Sequence, residues 1–222
     1  MDSTATLTVS PLAVLGSTAS LDETAKRLRI IDATVACISS SGIRGTSVEA
    51  IASEAGLARA TIYRTFAGGR DEILGAVVET EVARFFASLS VELAQAATLE
   101  DLCVKSVTGT AQRLSASAAL AALLRESPEL VTGLLAFDAM SDLLDLVSDF
   151  AWPYFGRWLA EDAARRAGEL VARVAISYLM SPEPGLDLCD ERSVRALIDR
   201  HVLAWVMALE GSNRGERGSA CR

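Results

Sequence analysis

The sequence predicts an all-α protein, and three observations support this. Half of its 222 residues are hydrophobic, but valine, isoleucine and threonine do not dominate any run, as they would in strands. No Asn-Gly or Asp-Gly pair marks a tight β-hairpin. Apolar residues recur instead at intervals of three and four, the period of a helix with one buried face.

The first helix is predicted to begin at residue 20. Ser20 and Glu23 have the S-x-x-E spacing of a capping box, in which each side chain accepts a hydrogen bond from the other residue's backbone N–H. Gly42 is expected to end this helix, because glycine tolerates the left-handed conformation found at helix C-termini. The predicted inner face carries Leu28, Ile31, Val35 and Ile38.

Two short helices are predicted next. Thr46 and Glu49 fit a second capping box, so we expect a helix to start at Thr46. Gly56 would end it, and a further helix would run to Phe66 with Ile62 facing inward. Two short helices joined by a glycine turn indicate a helix-turn-helix, whose second helix enters the DNA major groove.

The outward chemistry of the second helix separates this interpretation from an ordinary αα-hairpin in a helical core, which stays the alternative. No acidic residue lies between Leu57 and Phe66, whereas arginine, threonine and tyrosine are donors suited to phosphates and base edges. Arg59 and Thr61 are the candidates for base readout, and Thr46 and Tyr63 for phosphate contacts. The predicted DNA contacts are Thr46, Arg59, Ala60, Thr61, Tyr63, Arg64, Thr65 and Arg70.

Charge is unevenly distributed along the chain. The formal net charge is −8, but residues 24–70 contain seven basic and three acidic residues, a balance of +4 that leaves −12 on the remainder. A basic N-terminal module on an acidic body is expected if one surface meets the phosphate backbone.

The remainder of the chain predicts a helical body. We call the predicted helix-turn-helix module of residues 21–70 the head, and the helical remainder up to residue 210 the body. A helix of residues 71–93 would be more than 30 Å long, at about 1.5 Å per residue, and would connect the head to the body. Pro153 should kink or interrupt its helix, and Asp190 should cap the last one. Another helix is predicted to begin after Thr98 and to continue to residue 116. The remaining predicted helices are residues 118–125, 127–136, 139–160, 163–180 and 191–209.

Aromatic residues concentrate near Pro153, with six of the chain's twelve between residues 137 and 158. Large aromatics at a bend suit a cavity for an apolar or amphipathic small molecule, although core packing is the alternative. The predicted pocket residues are Phe85, Phe86, Phe137, Phe150, Trp152, Tyr154 and Phe155.

The last two predicted helices carry apolar stripes that either pair with a second subunit or cover the body's core. A helix-turn-helix that reads palindromic DNA needs two heads, which favours a homodimer. The predicted interface residues are Val171, Val174, Tyr178, Ile198, Val202 and Trp205.

The sequence provides little for catalysis. It contains no G-x-S-x-G, no H-E-x-x-H and no phosphate-binding glycine loop after a strand. Its four cysteines are scattered and His201 is its one histidine, so we expect no metal site, no cofactor and no enzymatic activity. Cys37 and Cys103 are expected as buried thiols, a redox sensor being the less favoured alternative. We expect no secretory signal, no membrane span and a cytoplasmic location.

Residues 21–75 contain a combination of short motifs that is more specific than any one of them. They are Ile31, Ile38, Gly42-Ile43, Thr46-Ser47-Val48, Ile51-Ala52, Ala55-Gly56-Leu57, Thr61–Phe66 and Arg70–Leu74. With this combination the segment resembles the DNA-binding domain of the tetracycline-repressor (TetR) family of bacterial regulators. Three features depart from the family pattern: Ala58 at the helix N-cap, Thr65 in place of the common His or Tyr, and a loop before Arg70 that is one residue longer.

The resemblance implies a homodimeric regulator, most often a repressor, that binds a palindromic operator and responds to a small molecule in its helical body. The runner-up is a helical adaptor protein whose helix-turn-helix is only structural. We expect a disordered tail over 1–20, a helix-turn-helix domain over 21–70, an effector-binding and dimerisation domain over 71–210, and a C-terminal tail over 211–222.

Overall fold

The structure is a computed structural model that describes residues 21–117, residue 119 and residues 137–206. The two short helices predicted between 118 and 136 and both predicted tails lie outside the described residues. Within the described part, the chain is helical and has no strand, which confirms the all-α class. The principal helices are α1 (Leu21–Gly45), α2 (Val48–Ala55), α3 (Arg59–Thr65), α4 (Gly69–Ala94), α5 (Leu99–Ala116), α6 (Phe137–Phe155), α7 (Glu161–Met180) and α8 (Glu191–His201).

The predicted break at Gly42 is confirmed. Gly42 has φ 70° and ψ 173° within the Leu21–Gly45 segment, so the regular helix is interrupted there. The carbonyl of Gly42 then accepts a hydrogen bond from the hydroxyl of Thr46 at 2.8 Å. This bond ties down the turn that leads into α2.

The start of α2 corrects the prediction. Ser47, not Thr46, is the N-cap, and its side chain accepts from the backbone N–H of Ala50 at 3.1 Å. Thr46 is 1% exposed, and its hydroxyl donates its hydrogen bond to the Gly42 carbonyl instead of capping α2. Glu49 is therefore not part of a capping box with Thr46, and its carboxylate is available for another partner.

The turn between α2 and α3 forms as the sequence predicts. Gly56 adopts the left-handed conformation with φ 60° and ψ 40°, which a side chain would disfavour. Ala58 is the N-cap of α3 and provides no side-chain hydrogen bond. The short helix α3 is instead held by burial of Ile62 and Phe66, both 0% exposed.

The first half of α4 belongs to the head by its packing. Ile73 and Val77, both 0% exposed, join the head's core, as does Ala119 from the segment after α5. The start of α4 therefore shares one hydrophobic core with α1, α2 and α3. The other large members of this core are Ile30, Ile31, Ile38, Ile51, Ile62 and Phe66.

Arg84 makes a second connection between α4 and the head. Its guanidinium donates to Asp32 of α1 at 2.6 Å and to Glu81 at 3.0 Å. The hydrogen bond to Asp32 is the main reason why the pKa of Arg84 is raised.

The body packs α5, α6, α7 and α8 around a separate core. Thr98 caps α5 and Asp190 caps α8, as predicted. The Thr98 hydroxyl accepts a hydrogen bond from the backbone N–H of Asp101 at 3.0 Å, and the Asp190 carboxylate accepts one from the backbone N–H of Ser193 at 2.9 Å. Pro153 lies in the last turn of α6, which ends at Phe155 rather than near residue 160. Gly168 permits close packing of α7 on α6, since a Cβ there would lie 3.0 Å from the Cβ of Ala151.

Cys37 and Cys103 are buried, as predicted. Burial raises the pKa of the Cys103 thiol to about 12 and is the main cause of the raised pKa of Cys37. A thiol that stays protonated is a poor nucleophile, so both side chains act as small apolar groups. No helix in the described ranges is long and apolar enough to cross a membrane.

Candidate functional site

The outward face of α3 is the most distinctive polar surface of the head. Arg59, Ala60, Tyr63 and Arg64 are exposed, while Ile62 between them is fully buried. Thr61 is half-buried at the edge of this face. The buried Ile62 anchors α3, so its arginines and tyrosine point away from the core on a fixed support.

Arg59 forms an ion pair that sequence reasoning missed. Its Nη1 lies 2.7 Å from Oε1 of Glu49 in the first turn of α2, and both side chains are 57% exposed. The pattern that could have found this pair is the Ser47 cap, because a cap one residue later than Thr46 leaves Glu49 without a capping role.

Two of the predicted DNA contacts are engaged within the protein. Thr46 is buried and donates to the Gly42 carbonyl, so its hydroxyl does not face solvent. The Thr65 hydroxyl is half-buried and donates to Oε1 of Glu23 in α1 at 3.3 Å. Both residues therefore hold elements of the head together.

Arg70 is also turned inward. Its Nε donates to the carbonyl of Thr46 at 2.7 Å, and its Nη2 donates to the carbonyl of Ile43 at 2.6 Å. These bonds join the start of α4 to the turn before α2. The sequence had assigned Arg70 to the DNA backbone, but its hydrogen bonds are used by the protein.

Tyr63 packs against the start of α4. Gly69, the first residue of α4, has φ 63°, and a Cβ there would lie 3.2 Å from Cε1 of the tyrosine ring. Both the backbone angle and the ring thus favour glycine at position 69. The ring of Tyr63 packs on this glycine while 45% of the residue stays exposed.

Arg27 is a further residue that the sequence did not single out. Its guanidinium carbon lies 4.2 Å from the centroid of the Phe66 ring, a cation–π contact between α1 and the end of α3. The contact covers Phe66 from solvent, so it supports the position of α3.

Four of the predicted pocket residues form a continuous row of rings between α4 and α6. The ring centroids are 5.3 Å apart for Phe85 and Phe86, 4.6 Å for Phe86 and Phe150, and 5.5 Å for Phe150 and Tyr154. All four residues are half-buried. We call this set the aromatic row.

Two of the other predicted pocket residues, Phe155 and Trp152, have different surroundings. Phe155 is 0% exposed and packs in the body's core. Trp152 is half-buried, with the guanidinium of Arg165 5.2 Å above its ring. The side chain of Phe137 lies outside the described residues. Of the described rings in this set, four form the aromatic row, Phe155 packs in the body's core and Trp152 lies beside Arg165.

The aromatic row does not line either of two cavities that lie among the described residues. One, of about 190 Å³, lies where the C-terminal ends of α5 and α7 meet the 182–189 segment, and Tyr178 and Cys189 are among its lining residues. The other, of about 550 Å³, is an open groove between α1 and α2.

The predicted interface residues divide into two groups. Val171, Ile198 and Val202 are 3%, 0% and 0% exposed and belong to the protomer's own core. Val174 and Tyr178 are half-buried, and Trp205 is 41% exposed. Only the second group is available to a partner, so part of the stripe has the core-covering role that was the alternative.

Comparison with known proteins agrees with the geometry of the head. Residues 30–77 match the family model described as bacterial regulatory proteins of the tetR family. None of the curated proteins matches the sequence at a significant level.

Solved structures resemble the chain over most of its length. The TetR family repressor AlkX from Dietzia sp. strain DQ12-45-1b is 21% identical, with 83% of this chain and 96% of that chain covered and a TM-score of 0.58. The fatty acid degradation regulator FadR from Bacillus halodurans is 24% identical, with 78% and 94% covered and a TM-score of 0.52. The multidrug binding protein EbrR, complexed with imidazole, is 20% identical, with 79% and 93% covered and a TM-score of 0.51.

At these identities the structures report on fold alone, and the family model reports on the head. The two findings agree with the helix-turn-helix geometry of α2 and α3 and with the helical body behind it. Residues 30–77 therefore match the helix-turn-helix domain of bacterial regulatory proteins of the tetR family, and the chain has the fold of the TetR family structure to which it is similar.

Proposed function

We propose that this chain is a transcriptional repressor that binds a palindromic operator in the cytoplasm as a homodimer and responds to a small apolar or amphipathic ligand. The observation that carries the proposal is the outward face of α3, on which Arg59, Tyr63 and Arg64 are exposed around the buried Ile62. Arginine suits guanine edges and phosphates, and tyrosine suits phosphates.

We assign Arg59 and Thr61 to base readout, because they lie in the first turn of α3, the end that approaches base edges in helix-turn-helix proteins. Tyr63 and Arg64 are assigned to phosphates. Ala60 is small and exposed, which suits close approach to a thymine methyl group. Thr46, Thr65 and Arg70 are assigned a supporting role, because their polar atoms already bond within the head.

Salt dependence of duplex binding tests this function directly. After selection of a preferred site from random duplexes, affinity should fall linearly with salt on logarithmic axes, with a slope of about 0.9 per phosphate neutralised. If two heads neutralise six phosphates, binding should weaken roughly a thousandfold when salt rises from about 50 to about 200 mM. Fluorescence anisotropy with labelled duplexes measures both quantities.

The alternative function gives the opposite result. A helical adaptor whose helix-turn-helix is only structural would select no sequence and show no steep salt slope. That outcome would contradict the proposed regulator, provided that circular dichroism confirms a folded helical protein.

The ligand is proposed to contact the aromatic row. Its rings join α4, which leads into the head, to α6 in the body, so a molecule packed against them would bias the position of α4. Two of the similar structures are named for n-alkane biodegradation and fatty acid degradation, and a third for multidrug binding. These names make extended apolar molecules the first class to test.

Titration with fatty acids and alkanes of increasing chain length should quench the emission of Trp152 or Trp158. The same compounds should change operator affinity by about 5- to 150-fold, the usual range of allosteric coupling. Phe86→Ala should remove both effects, while Val91→Ala, at an exposed position of the same helix, should retain them. Binding without a change in DNA affinity would contradict the regulatory coupling.

A further inference from the structure

We propose that Glu49 is a positioning residue for Arg59, and that their ion pair sets how strictly one operator base pair is discriminated. The inference rests on the proposed DNA-binding function, since it concerns how Arg59 is presented to a duplex. The observation behind the inference is the ion pair between α2 and α3, whereas the proposed function rests on the exposed residues of α3.

The pair lies at the end of α3 that begins with Arg59. Nη1 of Arg59 is 2.7 Å from Oε1 of Glu49, and each side chain remains 57% exposed. The carboxylate therefore contacts the guanidinium while leaving more than half of it open to solvent.

The N-cap hydrogen bond of α2 does not involve this carboxylate. Ser47 caps α2 through Ala50, so Glu49 is not needed to start its own helix. An ion pair this exposed contributes little to stability, because water screens it in the free protein. The geometry thus points to a role in orienting Arg59.

Orientation of the guanidinium matters for reading a base. Arginine has five N–H donors in a planar fork, and a contact at Nη1 leaves Nε and Nη2 free. Those two nitrogens form one edge of the fork, as bidentate binding to a guanine edge requires. With Nη1 held by Glu49, the guanidinium is directed before DNA arrives.

The carboxylate also affects binding to other sequences. Docking on DNA removes part of the water around the ion pair and so strengthens it, but the same negative charge is unfavourable near phosphates. At a DNA site that offers the base contacted by Arg59, the oriented guanidinium gains its base contact and offsets the repulsion between Glu49 and the phosphates. At other DNA sites there is no base contact to offset this repulsion. Discrimination therefore increases from both effects.

The experiment compares wild type, Glu49→Gln, Arg59→Ala and the double variant on the selected operator. A second duplex carries a substitution at the base pair whose preference Arg59→Ala abolishes. Glu49→Gln should reduce discrimination at that base pair on the order of tenfold. In the Arg59→Ala background it should cause no further loss, because the residue through which Glu49 acts is absent.

Glu54→Gln is the matched control. Glu54 is an exposed residue near the other end of α2 and lines the groove toward α1. The Glu54→Gln substitution removes one negative charge from α2, as Glu49→Gln does, so both should change the affinity for DNA of any sequence by a similar amount. It should leave discrimination at the tested base pair unchanged.

Three outcomes would overturn the inference. Equal effects of Glu49→Gln and Glu54→Gln would mean that Glu49 contributes only charge. A loss of discrimination that persists in the Arg59→Ala background would mean that Glu49 contacts DNA itself. If the wild-type protein selects no operator, the proposed function fails, and this inference fails with it.

Discussion

Val174→Glu combined with Trp205→Glu should convert the proposed dimer into a folded monomer and weaken operator binding by about a hundredfold or more. Each head contacts one half-site, so two linked heads bind a palindrome with the advantage of a second, intramolecular contact. Glutamate at an apolar dimer contact would bury an unpaired charge, which strongly opposes association. Light scattering would give the mass and anisotropy the operator affinity.

The choice of positions follows from burial. Val202 is 0% exposed, so a charge there would unfold the protomer and give no information about the interface. Trp205 is 41% exposed and Val174 half-buried, so both can change while the body's core stays intact. Val91→Glu, at a valine 61% exposed on α4, is the control and should leave mass and affinity unchanged. An unaltered dimer mass would remove these two residues from the interface.

Arg59→Ala should cost about 1–3 kcal/mol on the preferred operator, roughly 5- to 150-fold in affinity, and relax specificity at one base pair in each half-site. Repeating the selection from random duplexes with the variant measures this directly. The loss should be confined to that base pair, because the other contacts of α3 are retained.

Tyr63→Phe is the control for this prediction. It removes a hydroxyl assigned to phosphate while the ring keeps its packing on Gly69, so all sequences should be weakened about equally. If Arg59→Ala leaves the selected sequence unchanged, the assignment of base contacts to the first turn of α3 is wrong.

Local sequence rules predicted many of the helix boundaries, in the head and in the body. Gly42 and Gly56 break helices where the sequence indicated, because a left-handed backbone favours one residue type. Thr98 and Asp190 cap their helices as expected. At α2, two adjacent hydroxyl residues could both cap, and the bond from Thr46 to Gly42 decides in favour of Ser47. That bond depends on the conformation at Gly42, which lies outside the four-residue capping-box pattern of residues 46–49.

Longer-range contacts were harder to predict. The inward turn of Arg70 requires carbonyls 24 and 27 residues earlier in the chain, which no local pattern places beside it. The apolar stripes of α7 and α8 were correctly periodic, but periodicity does not distinguish a core from an interface. Val171 and Val174 lie on the same helix with different burial, and only the packing of α7 on its neighbours separates them.

The bonds of Arg70 and Arg84 determine where the chain can bend. Both arginines fasten α4 to the head, and they are about 21 Å apart along the helix axis. Together with the burial of Ile73 and Val77 in the head's core, these bonds favour movement of this part of α4 and the head as one arm, with its pivot expected beyond Arg84, near the aromatic row. A tilt of about 5° at that pivot displaces the far end of the arm by about 2 Å. A ligand that shifts ring packing slightly could thus change the register of two heads on successive turns of DNA.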